Sequence, residues 1–376
     1  MQSMKKNLIA VAVLAAFAGV AHAQSNIQIY GLLDTGYIKE GGTDARMGSK
    51  TESRIGFMGS EDLGGGMKAT FQLEKRFNLN DGTLSGSTTA DTNSARNTWN
   101  ADDGLHGRAN GEDWKGAANL GLSGNWGAIR FGRVANIGTE YYNAIDPFGE
   151  YSVGDSFTGS GGMLYSEHFS NHVRYDSPDF AGFSFGVGFV PKSDDDTIGE
   201  VFGKRNNYGW DVGMRYARGP LLLLATHSRL ADSNSSQAWN VGAAYTFGDV
   251  TVSLGYQRTD AKLNYFTYAN SAYSQYDKYA ANGSKQKEAI LGVKWNIGPG
   301  TVDLSYNYAN YQQGSYDEDA WKLAAGYTYN FSKRTAIYGM VSYTQADDEM
   351  VGAVYNTNHA WRESVAAFQV GMTHRF

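Results

Sequence analysis

The sequence predicts an all-β fold: a 16-stranded antiparallel transmembrane β-barrel, with short turns at one end and long loops at the other. Three observations carry the prediction. After residue 24, apolar residues recur with period two along most of the chain. The connections between these alternating segments are short and long in turn. The composition is that of extended structure, with 47 Gly, 25 Tyr and 18 Phe in 376 residues but only 5 Pro and no Cys.

The period is plain in single segments. Val302, Leu304, Tyr306 and Tyr308 alternate with Asp303, Ser305 and Asn307. Val250, Val252, Leu254 and Tyr256 alternate with Thr251, Ser253, Gly255 and Gln257. Successive strand side chains point to opposite faces, so each segment has one apolar and one polar face. The candidate strands are 26–38, 52–60, 66–78, 114–125, 127–135, 168–177, 182–191, 206–217, 220–230, 238–247, 249–261, 285–296, 299–312, 318–330, 334–346 and 362–376.

Every second connection is short: Glu61 to Gly65, Trp126, Pro178 to Ala181, Arg218-Gly219, Gly248, Ile297-Gly298 and Phe331 to Lys333. Most of the others are longer and polar, near 39–51, 79–113, 136–167, 192–205, 262–284 and 347–361, with shorter ones near 231–237 and 313–317. In an antiparallel meander alternate connections lie at opposite ends. An even strand count puts both termini at the smooth end. Short periplasmic turns, longer external loops and strands of about ten residues are the anatomy of an outer-membrane barrel. An open sheet edge cannot be satisfied in lipid, so the barrel must close. Closure brings Ile27, Ile29 and Leu33 near Val370, Met372 and Phe376. About 16 strands enclose a water-filled lumen.

A water-soluble sandwich would turn its apolar face inward. Here aromatics gather at strand ends, as at Tyr245/Phe247, Tyr306/Tyr308 and Tyr327/Tyr329/Phe331. Rings of this kind favour the headgroup level. A mean hydropathy of −0.44 excludes a bundle of membrane helices, and an aromatic content of 14% excludes a disordered chain.

Residues 1–23 read as a secretory leader. Lys5 and Lys6 precede the 13-residue apolar run from Leu8 to Val20, and Ala21-His22-Ala23 is a small-x-small cleavage site. Residues 24–376 then form one barrel domain. Loss of Lys5 and Lys6 takes the formal net charge from −6 to −8, which gives no support to nucleic-acid binding. Phe368, Val370, Met372, His374 and the terminal Phe376 share one face, resembling the signal read by the outer-membrane insertion machinery.

No enzyme, cofactor or metal site is expected. Zero Cys excludes a thiolate site. No metalloprotease, phosphate-loop or nucleophile-elbow motif occurs. His168 and His172 are about 13 Å apart along a strand, too far to share one metal ion.

Several runs resemble the general diffusion porins of β-proteobacteria and Neisseria. They are Ile29-Tyr30-Gly31-Leu32-Leu33-Asp34-Thr35-Gly36, Ser53-Arg54-Ile55-Gly56-Phe57 followed by Gly59 to Ala69, and Phe131-Gly132-Arg133. Val173-Arg174-Tyr175-Asp176-Ser177-Pro178 and the closing His374-Arg375-Phe376 extend the likeness along the chain. The resemblance implies a homotrimer in the outer membrane that passes ions and small hydrophilic solutes, in contact with outer-membrane lipid and lipopolysaccharide. It also implies that the third long loop, 136–167, folds into the lumen, and that the second, 79–113, reaches a neighbouring subunit.

Parity assigns the charges of the lumen. Ile55 and Phe57 face lipid, so Arg54 faces in. The same reasoning turns Lys68, Glu74, Arg76, Lys115, Arg130, His168, His172 and Arg174 inward. The inserted loop carries Glu140, Asp146, Glu150 and Asp155. A basic wall (Arg54, Arg76, Lys115, Arg130, Arg174) opposite an acidic loop would set a transverse field across the constriction and select by charge. Arg133 has outward parity, and a bulge is able to turn it round. By the same resemblance, Gly116 stands about where anion-selective relatives carry Arg and His168 where some relatives do, which lowers the fixed positive charge.

Overall fold

The computed structural model describes residues 26–42, 44–84, 114–149, 152–157, 167–191, 208–229, 236–261, 284–313, 316–347 and 363–376. The leader, most of loop 79–113 and Glu150 lie outside the described residues.

The strands are β1 (Asn26–Glu40), β2 (Arg46–Gly48), β3 (Ser53–Gly64), β4 (Met67–Phe77), β5 (Ala117–Gly124), β6 (Gly127–Ala135), β7 (His168–Asp176), β8 (Phe183–Val190), β9 (Gly209–Arg218), β10 (Leu221–Arg229), β11 (Gln237–Phe247), β12 (Val250–Ala261), β13 (Ser284–Ile297), β14 (Gly300–Gln313), β15 (Tyr316–Asn330), β16 (Thr335–Ala346) and β17 (Ser364–Arg375). A short helix, α1 (Ile137–Tyr142), follows β6. From β3 to β17 each strand is antiparallel to the one before it, and β1 pairs with β3 on one side and β17 on the other. This is a closed 16-strand barrel. Its second stave comes in two pieces, because β2 continues the pairing of β3 along β1.

The break between β2 and β3 was not legible in the alternation. Ser49 to Ser53 oppose only Leu33, Asp34 and Thr35. The surplus is fastened to Asp34, whose Oδ1 accepts from the Lys50 N–H (3.0 Å) and whose N–H donates to Ser53 Oγ (3.0 Å).

The sixteen expected segments match the staves to within a few residues. The short turns between β9 and β10, β11 and β12, and β13 and β14 begin with Gly219, Gly248 and Gly298, at φ +58°, +60° and +53°. Side chains strongly disfavour that region. The seam needs a correction. Ile27 and Ile29 pair with Gly59 and Phe57 of β3, beyond the end of β17. Leu33 lies opposite His374, and Met372 and Val370 lie opposite Thr35 and Tyr37. The last stave ends at Gly31, where Phe376 exchanges two backbone hydrogen bonds (3.0 and 3.1 Å).

The barrel is inside-out. Leu254, Phe247 and Leu120 are about 60% exposed on the outer face, whereas Gln257, Glu288, Asn307 and Gln369 are buried within. A row of exposed apolar side chains suits lipid, and the polar interior suits water.

The chain after β6 lies inside this polar lumen. α1 starts at Asn136, whose side chain caps the Thr139 N–H (2.7 Å). The loop then follows the wall from β8 to β17. Ile137, Tyr142 and Ile145 pack with Leu224 and Ile290, Phe148 with Ile38 and Met340, and Phe157 with Tyr311 and Val365. Polar ties run along the same path: Ser253 Oγ to the Ile145 carbonyl (2.6 Å), the Val153 N–H to Gln369 (3.0 Å) and the Phe157 N–H to Glu288 (2.7 Å). Glycine on the wall makes the close approach possible. A Cβ on Gly213 would sit 2.4 Å from Ile137, and one on Gly242 or Gly255 2.5 Å from Ile145.

Candidate functional site

With the loop against β8 to β17 and Phe148 reaching Ile38 of β1, the wall left open is that of β3 to β7 and the first part of β1. Alternation along β3 and β4 puts Arg54 and Arg76 directly opposite each other, and along β6 and β7 it does the same for Arg130 and Arg174. Like charges facing across a ladder are destabilising. In both pairs a carboxylate bridges the guanidinium groups. Glu74 lies 3.0 Å from Arg76 and 3.9 Å from Arg54. Asp176 receives Arg130 and Arg174, each at 2.6 Å.

The compensation extends further. Arg76 also bonds Glu52 (2.7 Å) and Glu167, and Lys115 bonds Glu52 (3.0 Å). Arg174 reaches across to Glu140 on α1 (2.7 Å) and donates to the Ala135 carbonyl (2.8 Å). Five cations thus stand among five carboxylates: Arg54, Arg76, Lys115, Arg130 and Arg174 with Glu52, Glu74, Glu140, Glu167 and Asp176. The wall expected to be basic is locally balanced.

The five cations differ in what holds them. Arg76, Lys115 and Arg174 are buried. The Arg130 side chain is 27% exposed but tied to Asp176. The Arg54 side chain is equally exposed, and its short contacts are neutral: Thr51 Oγ1 (2.9 Å) and the Glu52 carbonyl (3.3 Å).

Two openings meet at Arg54. One, of about 240 Å³, is lined by Arg54, Glu74, Arg76, Arg130, Glu140 and His168. The other, of about 430 Å³, runs between Lys50, Arg54, Glu74 and Arg375 and the loop residues Phe148 and Gly149. Arg54 and Glu74 line both. Lys50 and Arg375 were missed by the sequence reading. Arg375 has inward parity, opposite to Met372 and His374, and was legible in principle. Lys50 lies in the irregular β2–β3 junction, where alternation carries no information.

The loop acids occupy different places. Glu140 is half-exposed toward the wall. Asp146 is buried within the loop, accepting from the Phe148 N–H (2.9 Å) and the Ser156 N–H (3.2 Å). Burial pushes its carboxyl up to about 6. Asp155 lies on the far wall, 3.4 Å from Lys322 of β15. His172 and Asp211 bond at 2.9 Å, and Asp211 Oδ2 accepts the Ile137 N–H (2.7 Å), fixing the start of α1. The register opposes Arg133 to Ala118, in the outward row that includes Leu73. Its guanidinium donates to the Lys115 carbonyl (2.6 Å) and Ser170 Oγ (2.9 Å).

The family pattern of Gram-negative porins matches residues 10–349. An outer membrane porin protein of Bordetella pertussis is 31% identical over 421 residues, covering 99% of this chain and 100% of the relative. Among solved structures, the anion-selective porin from Comamonas acidovorans superposes with a TM-score of 0.65 at 24% identity, over 94% of this chain and 100% of that one. The trimer form of OmpT from Vibrio cholerae gives a TM-score of 0.63 at 14% identity, over 94% and 99%.

Proposed function

Because the chain belongs to the Gram-negative porin family, we propose that the balanced wall around Arg54 sets the ion preference of its pore. The chain is an outer-membrane general diffusion porin, a water-filled channel for passive passage of ions and small hydrophilic solutes. The finer reading assigns it weak charge selectivity, with Arg54 as the cation that passing ions feel most, and assigns it no catalytic role.

One observation carries this reading. Arg54 lines both openings and has its nearest carboxylate at 3.9 Å, while the other four cations are held at 3.0 Å or less. At 4 Å and an effective dielectric of 20, one charge shifts an ion's energy by about 4 kcal/mol before screening. Even ~0.4 kcal/mol of that changes a permeability ratio about twofold. Glu140, on the loop side, acts in the opposite sense. Asp146 acts through the shape of the loop, since its carboxylate is spent on backbone donors. Glu150 remains part of the proposed acidic side.

Planar-bilayer reversal potentials test the assignment. Arg54→Ala is expected to move them toward cation preference and Glu140→Gln toward anion preference. Both shifts should shrink in 1 M salt, where the screening length is about 3 Å. An unchanged reversal potential for Arg54→Ala at low salt would remove Arg54 from the constriction.

The assembly is proposed to be a homotrimer, with residues 79–113 as a latch onto a neighbour. The support is the family and the trimer form of a structural relative. Unheated protein on native gels should run at three times the monomer mass. Migration as a monomer across mild detergents would refute the assembly. The leader at 1–23 and the recognition of Phe376 by the insertion machinery stand as further proposals.

A further inference from the structure

We infer that the smaller opening beside Arg54 is a binding site for small zwitterions of the α-amino acid class. The guest's carboxylate lies on Arg54 and Arg130 and its ammonium on Glu140, over a floor formed by Gln72 and Asn119. The inference deepens the reading of this wall as the lining of the pore, and it rests on that reading for the guest's way in.

The opening is built from both sides of the constriction. Arg54 stands on β3 and Arg130 on β6, and between them Gln72 of β4 and Asn119 of β5 are directly opposed. Alternation turns all four inward. Glu140 enters from α1 on the loop side, so the two signs of charge come from different elements. The 240 Å³ of space takes a guest of about eight water volumes at ~30 Å³ each. Gly116 keeps it clear, because a Cβ there would sit 2.1 Å from Glu74 Oε1 and displace that carboxylate.

Each of these five side chains keeps some hydrogen-bonding capacity unused. Arg54 donates through Nη2 to Thr51 and through Nε to the Glu52 carbonyl, while its Nη1 lies 3.9 Å from Glu74 Oε1, beyond hydrogen-bond reach. Arg130 donates through Nη2 to Asp176 (2.6 Å), and its Nε and Nη1 have no partner among the described residues. Glu140 receives Arg174 on Oε2 (2.7 Å), its Oε1 has no partner among the described residues, and its side chain is 48% exposed. Gln72 donates to the Tyr30 hydroxyl (2.7 Å) and Asn119 to the Arg133 carbonyl (3.3 Å), which leaves both amide oxygens as acceptors. Arg76 also lines the opening but is engaged by Glu52, Glu74 and Glu167.

The open atoms are therefore of two kinds: donors on two cations, and acceptors on one carboxylate and two amides. A simple anion takes the guanidinium donors but stands against the Glu140 carboxylate. A simple cation takes the acceptors but stands against two guanidinium groups. A molecule with a carboxylate and an ammonium on one carbon satisfies both sets at once and adds no net charge to a balanced wall. Arg54, Arg130 and Glu140 are all part-exposed, so their contacts to a guest are weak ones. Such a site fills and empties readily, as conduction requires.

The test is saturation-transfer NMR on the full-length barrel in mild detergent, in which L-alanine is titrated beside its two halves, propionate and ethylamine. L-Alanine is expected to bind at least about tenfold more tightly than either half. Glu140→Gln should weaken L-alanine about fivefold or more, and should leave propionate bound at least as well as in the wild type. Equal affinity for L-alanine and propionate overturns the proposal in favour of an anion site, and equal affinity for L-alanine and ethylamine in favour of a cation site. Absence of saturable L-alanine binding, or an unchanged affinity in Glu140→Gln, also overturns it. The wild-type comparison decides alone should the variant not fold. Reversal potentials keep this inference apart from the reading beneath it. A shifted potential in Arg54→Ala without any preference for L-alanine sinks the zwitterion site alone. An unshifted potential with that preference intact upholds the site and sinks the assignment of ion selectivity to Arg54.

Discussion

Arg76→Ala is expected to destabilise the barrel by about 3–5 kcal/mol, the cost of breaking a buried ion pair from one side. Arg76 is 5% exposed and touches Glu52, Glu74 and Glu167. Removing it takes one cation from three carboxylates at once, while Glu52 keeps Lys115 and Glu74 keeps Arg54. The loss should appear as a lower temperature for conversion from the folded to the unfolded gel band, and as an earlier urea midpoint. Arg76→Lys should fall between, since an ammonium cannot match the planar fork of a guanidinium. Adding Glu167→Gln to Arg76→Ala should recover part of the loss. An unchanged conversion temperature for Arg76→Ala would show that the wall does not depend on this hub.

The second large effect concerns the seating of the inserted loop. Gly255→Leu is expected to lower single-channel conductance and to make it noisy. A Cβ at this position already meets Ile145 at 2.5 Å, Ile290 at 2.8 Å and the Tyr142 hydroxyl at 2.9 Å. The wall behind is a continuous hydrogen-bonded ladder from β11 to β13. The wall holds, so the loop is the part that gives, and its only direction is into the lumen. Overpacking of this kind costs about 1–3 kcal/mol. Ile145→Ala in the same chain should restore a steady current by making room for the leucine. A steady, unchanged conductance for Gly255→Leu would show that the loop is not seated on this glycine.

Both results depend on features of different legibility. The staves were readable because lipid outside and water inside force a strict alternation, and Val250 to Gln257 records it residue by residue. The same parity placed Arg54, Arg76, Arg130 and Arg174 on the wall. It also led to a basic wall, because Glu74 was the one wall carboxylate it turned inward and the others were not followed. Asp176 shares the parity of Arg174, and Glu52 that of Arg54, whereas Glu167 lies just outside its strand, where parity stops. Asp146 read as a pore acid but is consumed by the backbone of its own loop, which no one-dimensional pattern records.

By itself the sequence determined the strand number, the facing of each strand residue, the smooth and ragged ends, and the family. The first three are consequences of local geometry with a period of two, repeated until the two environments are separated; the family rests on the resemblance of particular runs such as Ser53 to Phe57. Only the tertiary structure decided which charges cancel, where the loop lies and which cation is left for a passing ion. Those outcomes depend on distances between residues far apart in the chain, such as Arg76 to Glu167 and Val153 to Gln369. An ion pair's strength changes several-fold over a few ångströms and with burial, and a shift of that size leaves no trace in the order of residues.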